Sequence, residues 1–122
     1  MKIRFKGNSI RLRLTQSEVK KWAADGVIKE VTSFGNKNSL EYQLMMSEES
    51  QISASFNDNI ISIDIPFTIA QEWCQGEQIS MESSIANDGM LNILVEKDFV
   101  CLTPREGEDE SDMYPNPLSN QD

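Results

Sequence analysis

Laid over itself with an offset of 51 residues, the chain matches without a gap. Phe5 falls on Phe56, Asn8 on Asn59, Ile10 on Ile61, Leu12 on Ile63 and Leu14 on Ile65. Further on, Trp22 falls on Trp73, Ile28 on Ile79, Leu40 on Leu91 and Leu44 on Val95. One offset that aligns both tryptophans, the turn asparagines and the alternating aliphatics predicts an internal duplication. Each half reads strand–turn–strand–helix–strand–turn–strand. The expected organisation is one globular domain over 1–103, built from repeats 1–51 and 52–103, followed by a tail over 104–122. A chain of 122 residues with 39% hydrophobic residues can bury a core of that size.

Local signals place the elements. "IRFKGNSIRLRL" alternates around Gly7-Asn8 and reads as a hairpin. Thr15 and Glu18 form a capping box, Val19, Trp22 and Ala23 share one helical face, and Gly26 ends that helix. Residues 27–34 and 40–46 read as strands around "GNKNS". The second helix opens at Pro66 with Ile69, Ala70, Trp73 and Cys74 on its apolar face. Residues 78–84 and 90–98 form a closing hairpin around Asn87-Asp88-Gly89, which "FVCLT" (99–103) extends. Both tryptophans are expected in the core, because aromatics at helical spacing serve packing far more often than ligand stacking.

Charge is divided unevenly. The net charge is −9, yet Lys2, Arg4, Lys6, Arg11, Arg13, Lys20, Lys21 and Lys29 all precede Val31, against only Glu18, Asp25 and Glu30. In a hairpin, Lys2, Arg4, Lys6, Arg11 and Arg13 share one face. The matching positions of the second half are Ser53, Ser55, Asn57, Ser62 and Asp64. Three readings fit the basic face: a solvated strand surface without a ligand, a contact for an acidic protein or this chain's own tail, or a nucleic-acid surface using Lys20 and Lys21 as well. The tail "PREGEDESDMYPNPLSNQD" is too acidic and Pro-rich to offset its ordering entropy, so it is expected to be flexible and disordered. Within it, Glu106, Glu108, Asp109, Glu110, Asp112, Met113 and Tyr114 form a candidate docking segment; a solubilising tail is the alternative.

Little points to catalysis. The chain has no histidine, which removes the commonest general base and metal ligand. No phosphate-binding loop or nucleophile elbow occurs. Cys74 and Cys101 lack metal spacing and are expected to be buried, free thiols, with Cys101 inert in its apolar run. Glu96 and Asp98 flank Lys97 and would share a strand face. Two carboxylates can touch a cation, but a plain strand-end charge cluster is the expectation, and "GEDESD" lacks an enforced turn. No metal, cofactor or catalytic residue is expected. The N-terminus lacks the apolar core of a secretory signal, and no apolar run approaches the ~20 residues of a bilayer span. A cytoplasmic protein without membrane contact follows as the expectation.

The stretch "IISIDIP", "FTIAQEW", "QGEQISMES" and "DGMLNILVEKDF", over 59–99, resembles the swapped-hairpin DNA-binding family typified by AbrB, SpoVT and the MazE antitoxin. Residues 8–46 follow the same plan more loosely, with Thr15 where that family has proline and Asp25-Gly26 in place of Gly-Glu. "KIRFKGNSIRLRLT" and "LVEKDFVCL" are also similar to parts of a bacterial family of unassigned function. The first resemblance implies a mainly β (α+β) fold in which two tandem units interleave into a pseudo-twofold, swapped-hairpin-like β-barrel. Having both units in one chain implies a monomer or weak dimer. The family's arginines on one barrel face imply DNA binding, and its flexible acidic antitoxin segments imply capture of a protein. The reading that follows is a non-catalytic, antitoxin-like or adaptor protein that binds a protein through Lys2, Arg4, Lys6, Arg11 and Arg13, through the acidic tail, or both. A DNA-binding regulator using the same hairpin is the alternative.

Overall fold

The computed structural model describes residues 1–86, 89–98, 112, 114 and 115. The chain runs β1 (Lys2–Lys6), β2 (Ser9–Leu14), α1 (Gln16–Asp25), β3 (Val27–Gly35), β4 (Asn38–Ser47), β5 (Ser53–Asn57), β6 (Ile60–Pro66), α2 (Phe67–Gln75), β7 (Ser80–Ala86) and β8 (Met90–Lys97).

The local signals act as read. Thr15 caps α1 with the reciprocal Glu18 bond of a full capping box, and Gly26 closes it at φ 77° in the left-handed region. The β3–β4 turn tightens onto Asn36 and Lys37, both at positive φ, so these strands run longer than the sequence suggests. In α2, Ala70 and Trp73 are buried, but Ile69, expected on the same apolar face, is 40% exposed. A nine-residue helix packed against α1 on one side buries a stripe narrower than the sequence pattern.

The strands form two four-stranded sheets, β1-β2-β8-β7 and β3-β4-β6-β5. Each sheet takes one hairpin from each half of the chain, joined by a parallel pair at its centre. Ser9 pairs with Asn92, and Ile60, 51 residues after Ser9, pairs with Glu41, 51 before Asn92. Lys2 opposite Arg13 is matched by Ser53 opposite Asp64. The last hairpin departs from the gapless match. Met81 faces Val95 as Ile28 faces Leu44, while Ile79 lies before the strand, 44% exposed. The link from α2 to β7 is longer than that from α1 to β3, and the arm from Met81 to Val95 is shorter than that from Ile28 to Leu44, so β7 slides by two residues and keeps its buried face inward.

Among the described residues, the expected closure into a barrel does not occur. Each sheet ends in its own edge strands, β1 and β7 in one and β3 and β5 in the other. After β2 and β6 the chain enters a helix that carries it to the other sheet, instead of a strand that would join the edges. Lys2, Arg4 and Lys6 on β1 also resist pairing with another edge. One core joins both sheets and both helices. Leu12, Leu14, Leu44, Ile63, Ile65, Ile93 and Val95 surround Trp22 and Trp73, both fully buried. The two rings meet edge-to-face with centroids 5.9 Å apart. Trp73 Nε1 donates to Ile79 O at 3.2 Å, while Trp22 Nε1 is buried without a hydrogen-bond partner among the described residues. Among those residues, no helix is long and apolar enough to cross a membrane.

Candidate binding groove

The alternation of β1 and β2 places all five predicted cations on the outer face of the first sheet. Arg4 lies directly opposite Arg11, Lys2 opposite Arg13, and Lys6 opposite Ser9. The parallel pairing of β2 with β8 then brings acids alongside. Arg13 Nε donates to Glu96 Oε1 at 2.6 Å, and Arg11 Nε lies 3.6 Å from the same oxygen. Lys2 Nζ is 3.5 Å from Asp98 Oδ2, whose side chain is almost fully buried. Two of the acids flagged as a strand-end cluster therefore neutralise one end of the basic face. Among the described residues, no group of three or more His, Cys, Asp or Glu is placed to hold a metal ion.

At the other end of the face, Arg4 and Lys6 have no ion pair among the described residues. With Arg11 they line an open groove of about 780 Å³ across the sheet, whose far wall is Glu82 and Ser84 of β7. The groove's floor includes Leu94 and Asn92. The second sheet offers no such surface at the matching positions. There Gln43 donates to Ser62 Oγ at 3.0 Å and Ser62 to Asp64 Oδ1 at 2.7 Å, a closed hydrogen-bond chain in place of cations.

Lys97, between the two paired acids, points the other way. Its ammonium donates to Gly76 O at 2.9 Å and lies 5.2 Å from the centre of the Trp73 ring. Burial pushes its pKa down, partly offset by Cys74. The Tyr114 ring lies 5.7 Å from the same ammonium. Burial, then Cys74 and Asp112, push the Tyr114 phenol up to about 12. Cys74 is free and half-buried rather than fully buried, with its thiol raised by burial against a lowering effect of Lys97.

Two members of the predicted tail segment are seated, against the start of α1 and the end of β8. Asp112 accepts from Gln16 N through its backbone oxygen at 3.0 Å and from Ser17 N through its carboxylate at 3.2 Å, so it supplements Thr15 at the start of α1. The Ser17 hydroxyl, then Thr15, hold that carboxyl below its ordinary pKa. Tyr114 N donates to Asp98 O at 2.7 Å. Glu106, Glu108, Asp109, Glu110, Met113 and Cys101 lie outside the described residues. The N-terminal ammonium of Met1 pairs with Glu18 and with Glu30, and Tyr42 Oη donates to Met1 O at 2.7 Å.

Glu82, Asn92 and Leu94 were not legible as site residues. Each occupies an outward position of its strand, a signal that exists in the alternation. Only the strand order β1-β2-β8-β7 carries them beside the cations.

A small two-sheet protein with a polarised groove on one sheet is thus the class that the fold and site define. The family model that matches covers residues 1–118, and the chain belongs to that family, a family of unknown function (DUF7009). No curated protein and no solved structure matches the chain.

Proposed function

We propose that this chain is a non-catalytic binding protein that receives an acidic partner protein in the groove beside β1 and β2. The observation that carries the reading is the pair Arg4 and Lys6: cations on a concave face, without ion pairs among the described residues, next to Arg11. Direct DNA binding is the weaker reading. Glu96 and Asp98 already engage Arg11, Arg13 and Lys2, Glu82 stands in the groove wall, and a net charge of −9 repels a polyanion.

The same reading includes descent by internal duplication from a swapped-hairpin ancestor of the AbrB, SpoVT and MazE type. What supports it is the equal offset of the two central parallel pairs and the exchange of hairpins between halves. The loss of cations from the second half fits a shift from a twofold DNA surface to a single protein-binding face.

The test is capture from a host lysate at low salt, with and without nuclease, using wild type and Arg4→Glu/Arg11→Glu. Arg11 and Arg4 are chosen because Arg13 is held by Glu96. Protein that survives nuclease and is lost with the double reversal supports the reading. Recovery of nucleic acid with the same dependence on the two arginines favours a regulator instead, and equal capture by both proteins refutes a role for the groove.

A further inference from the structure

We infer that the groove reads the order of side chains in an extended segment of the partner: acidic, then apolar, then basic, running from β1 towards β7. This inference rests on the protein-binding reading above and adds a polarity to it. The strand register sets one row across the sheet. Arg4 faces Arg11, Arg11 faces Leu94, and Leu94 faces Glu82, and all four line the groove. The row therefore presents cation, cation, apolar surface and anion in sequence.

Neighbouring strands lie ~4.8 Å apart, so the row from β1 to β7 spans about 14 Å. An extended chain rises ~3.4 Å per residue, so about four to five residues cover it. Carboxylates at one end of such a segment meet Arg4 and Arg11, an aliphatic side chain meets Leu94, and a Lys or Arg meets Glu82.

Two features of the groove ask for such an occupant. Like charges directly opposite in a sheet destabilise it, and Arg4 opposite Arg11 is such a pair. A carboxylate between them removes that repulsion. The neighbouring row supplies hydrogen bonds for a peptide backbone. Lys6 faces Ser9, Ser9 faces Asn92, and Asn92 faces Ser84. The Ser84 hydroxyl donates to Asn92 Oδ1 at 2.7 Å, which leaves the Asn92 amide nitrogen without an acceptor among the described residues. A nucleic acid fits this arrangement poorly, because the groove contains Glu82 and, among the described residues, no aromatic side chain for stacking.

The experiment is fluorescence anisotropy at low salt with two labelled peptides. One is Asp-Asp-Ser-Leu-Ser-Lys with blocked termini, and the other ends in Glu in place of Lys. The proteins are wild type, Glu82→Lys and Arg4→Glu/Arg11→Glu, each checked by circular dichroism. Both Arg4 and Glu82 are exposed, so these substitutions leave the core untouched. Wild type is expected to prefer the Lys-ended peptide by about fivefold, the range of a solvent-exposed ion pair. Glu82→Lys is expected to invert the preference, and the double reversal to lose both peptides. Loss on the double reversal without discrimination between peptides by wild type overturns the polarity and leaves the acidic-partner reading standing. No binding of either peptide by wild type also overturns the polarity. Binding unchanged by the double reversal overturns both.

Discussion

Tyr114 shows how one side chain ties the C-terminal region to the rest of the molecule. Its ring lies against the Lys97 ammonium, and its amide bonds to Asp98. The folded phenol titrates at about 12, against 10.0 for an ordinary tyrosine. Its proton is thus retained in the folded state where the unfolded chain has lost it. The stabilisation is complete below pH 10.0 and is lost as pH rises from there through about 12. Urea unfolding across that window should show wild type losing stability more steeply than Tyr114→Phe, which has no phenol to titrate. Thr15→Ala tests the other local anchor. It removes the capping-box acceptor and should cost about 1 kcal/mol in the same assay.

At the scale of the element, strand β8 governs how positive the groove is. Glu96 holds Arg13 and approaches Arg11, so Glu96→Gln releases both. Stability should fall by no more than about 1 kcal/mol, as for other partly exposed pairs, while affinity for an acidic peptide should rise. Anisotropy with such a peptide checks this. Gly76, the C-cap of helix α2, has no room for a side chain. A Cβ there would sit 2.8 Å from the carbonyl oxygen of Glu72. Gly76→Ala therefore forces the backbone to shift beside the carbonyl that receives Lys97, and should lower stability by about 1–3 kcal/mol in thermal unfolding.

For the whole molecule, the exchange of hairpins makes the halves interdependent. Each sheet needs two strands from each half, and the core closes around one tryptophan from each. Trp73→Ala should cost about 3–5 kcal/mol, a large share of the ~5–15 kcal/mol that stabilises a typical domain. The exposed residues Glu48, Glu49, Ser50 and Gln51 between β4 and β5 are the natural place to divide the chain. Residues 1–50 and 51–122 expressed apart should each give unfolded spectra, and together should regain the circular dichroism of the intact chain. Independent folding of either piece would contradict the interleaved topology.

What the sequence determined by itself is what depends on near neighbours along the chain. The capping box at Thr15, the stop at Gly26, and the shared face of Lys2, Arg4, Lys6, Arg11 and Arg13 follow from local periodicity and backbone sterics. The 51-residue offset also relates the two central strand pairs, Ser9 with Asn92 and Ile60 with Glu41, to each other. It failed at β7, where Met81 replaces Ile79 in the core, because a two-residue slide keeps the same face inward and leaves no mark in the alternation. Tertiary structure alone decided the composition of the groove. Glu96 and Asp98 lie more than eighty residues from Arg13 and Lys2, and only the parallel contact of β2 with β8 turns a basic hairpin into a polarised surface. It also decided that, among the described residues, two open sheets form where a barrel was expected, because pairing between distant edges depends on how the helices redirect the chain, which no short stretch of residues encodes.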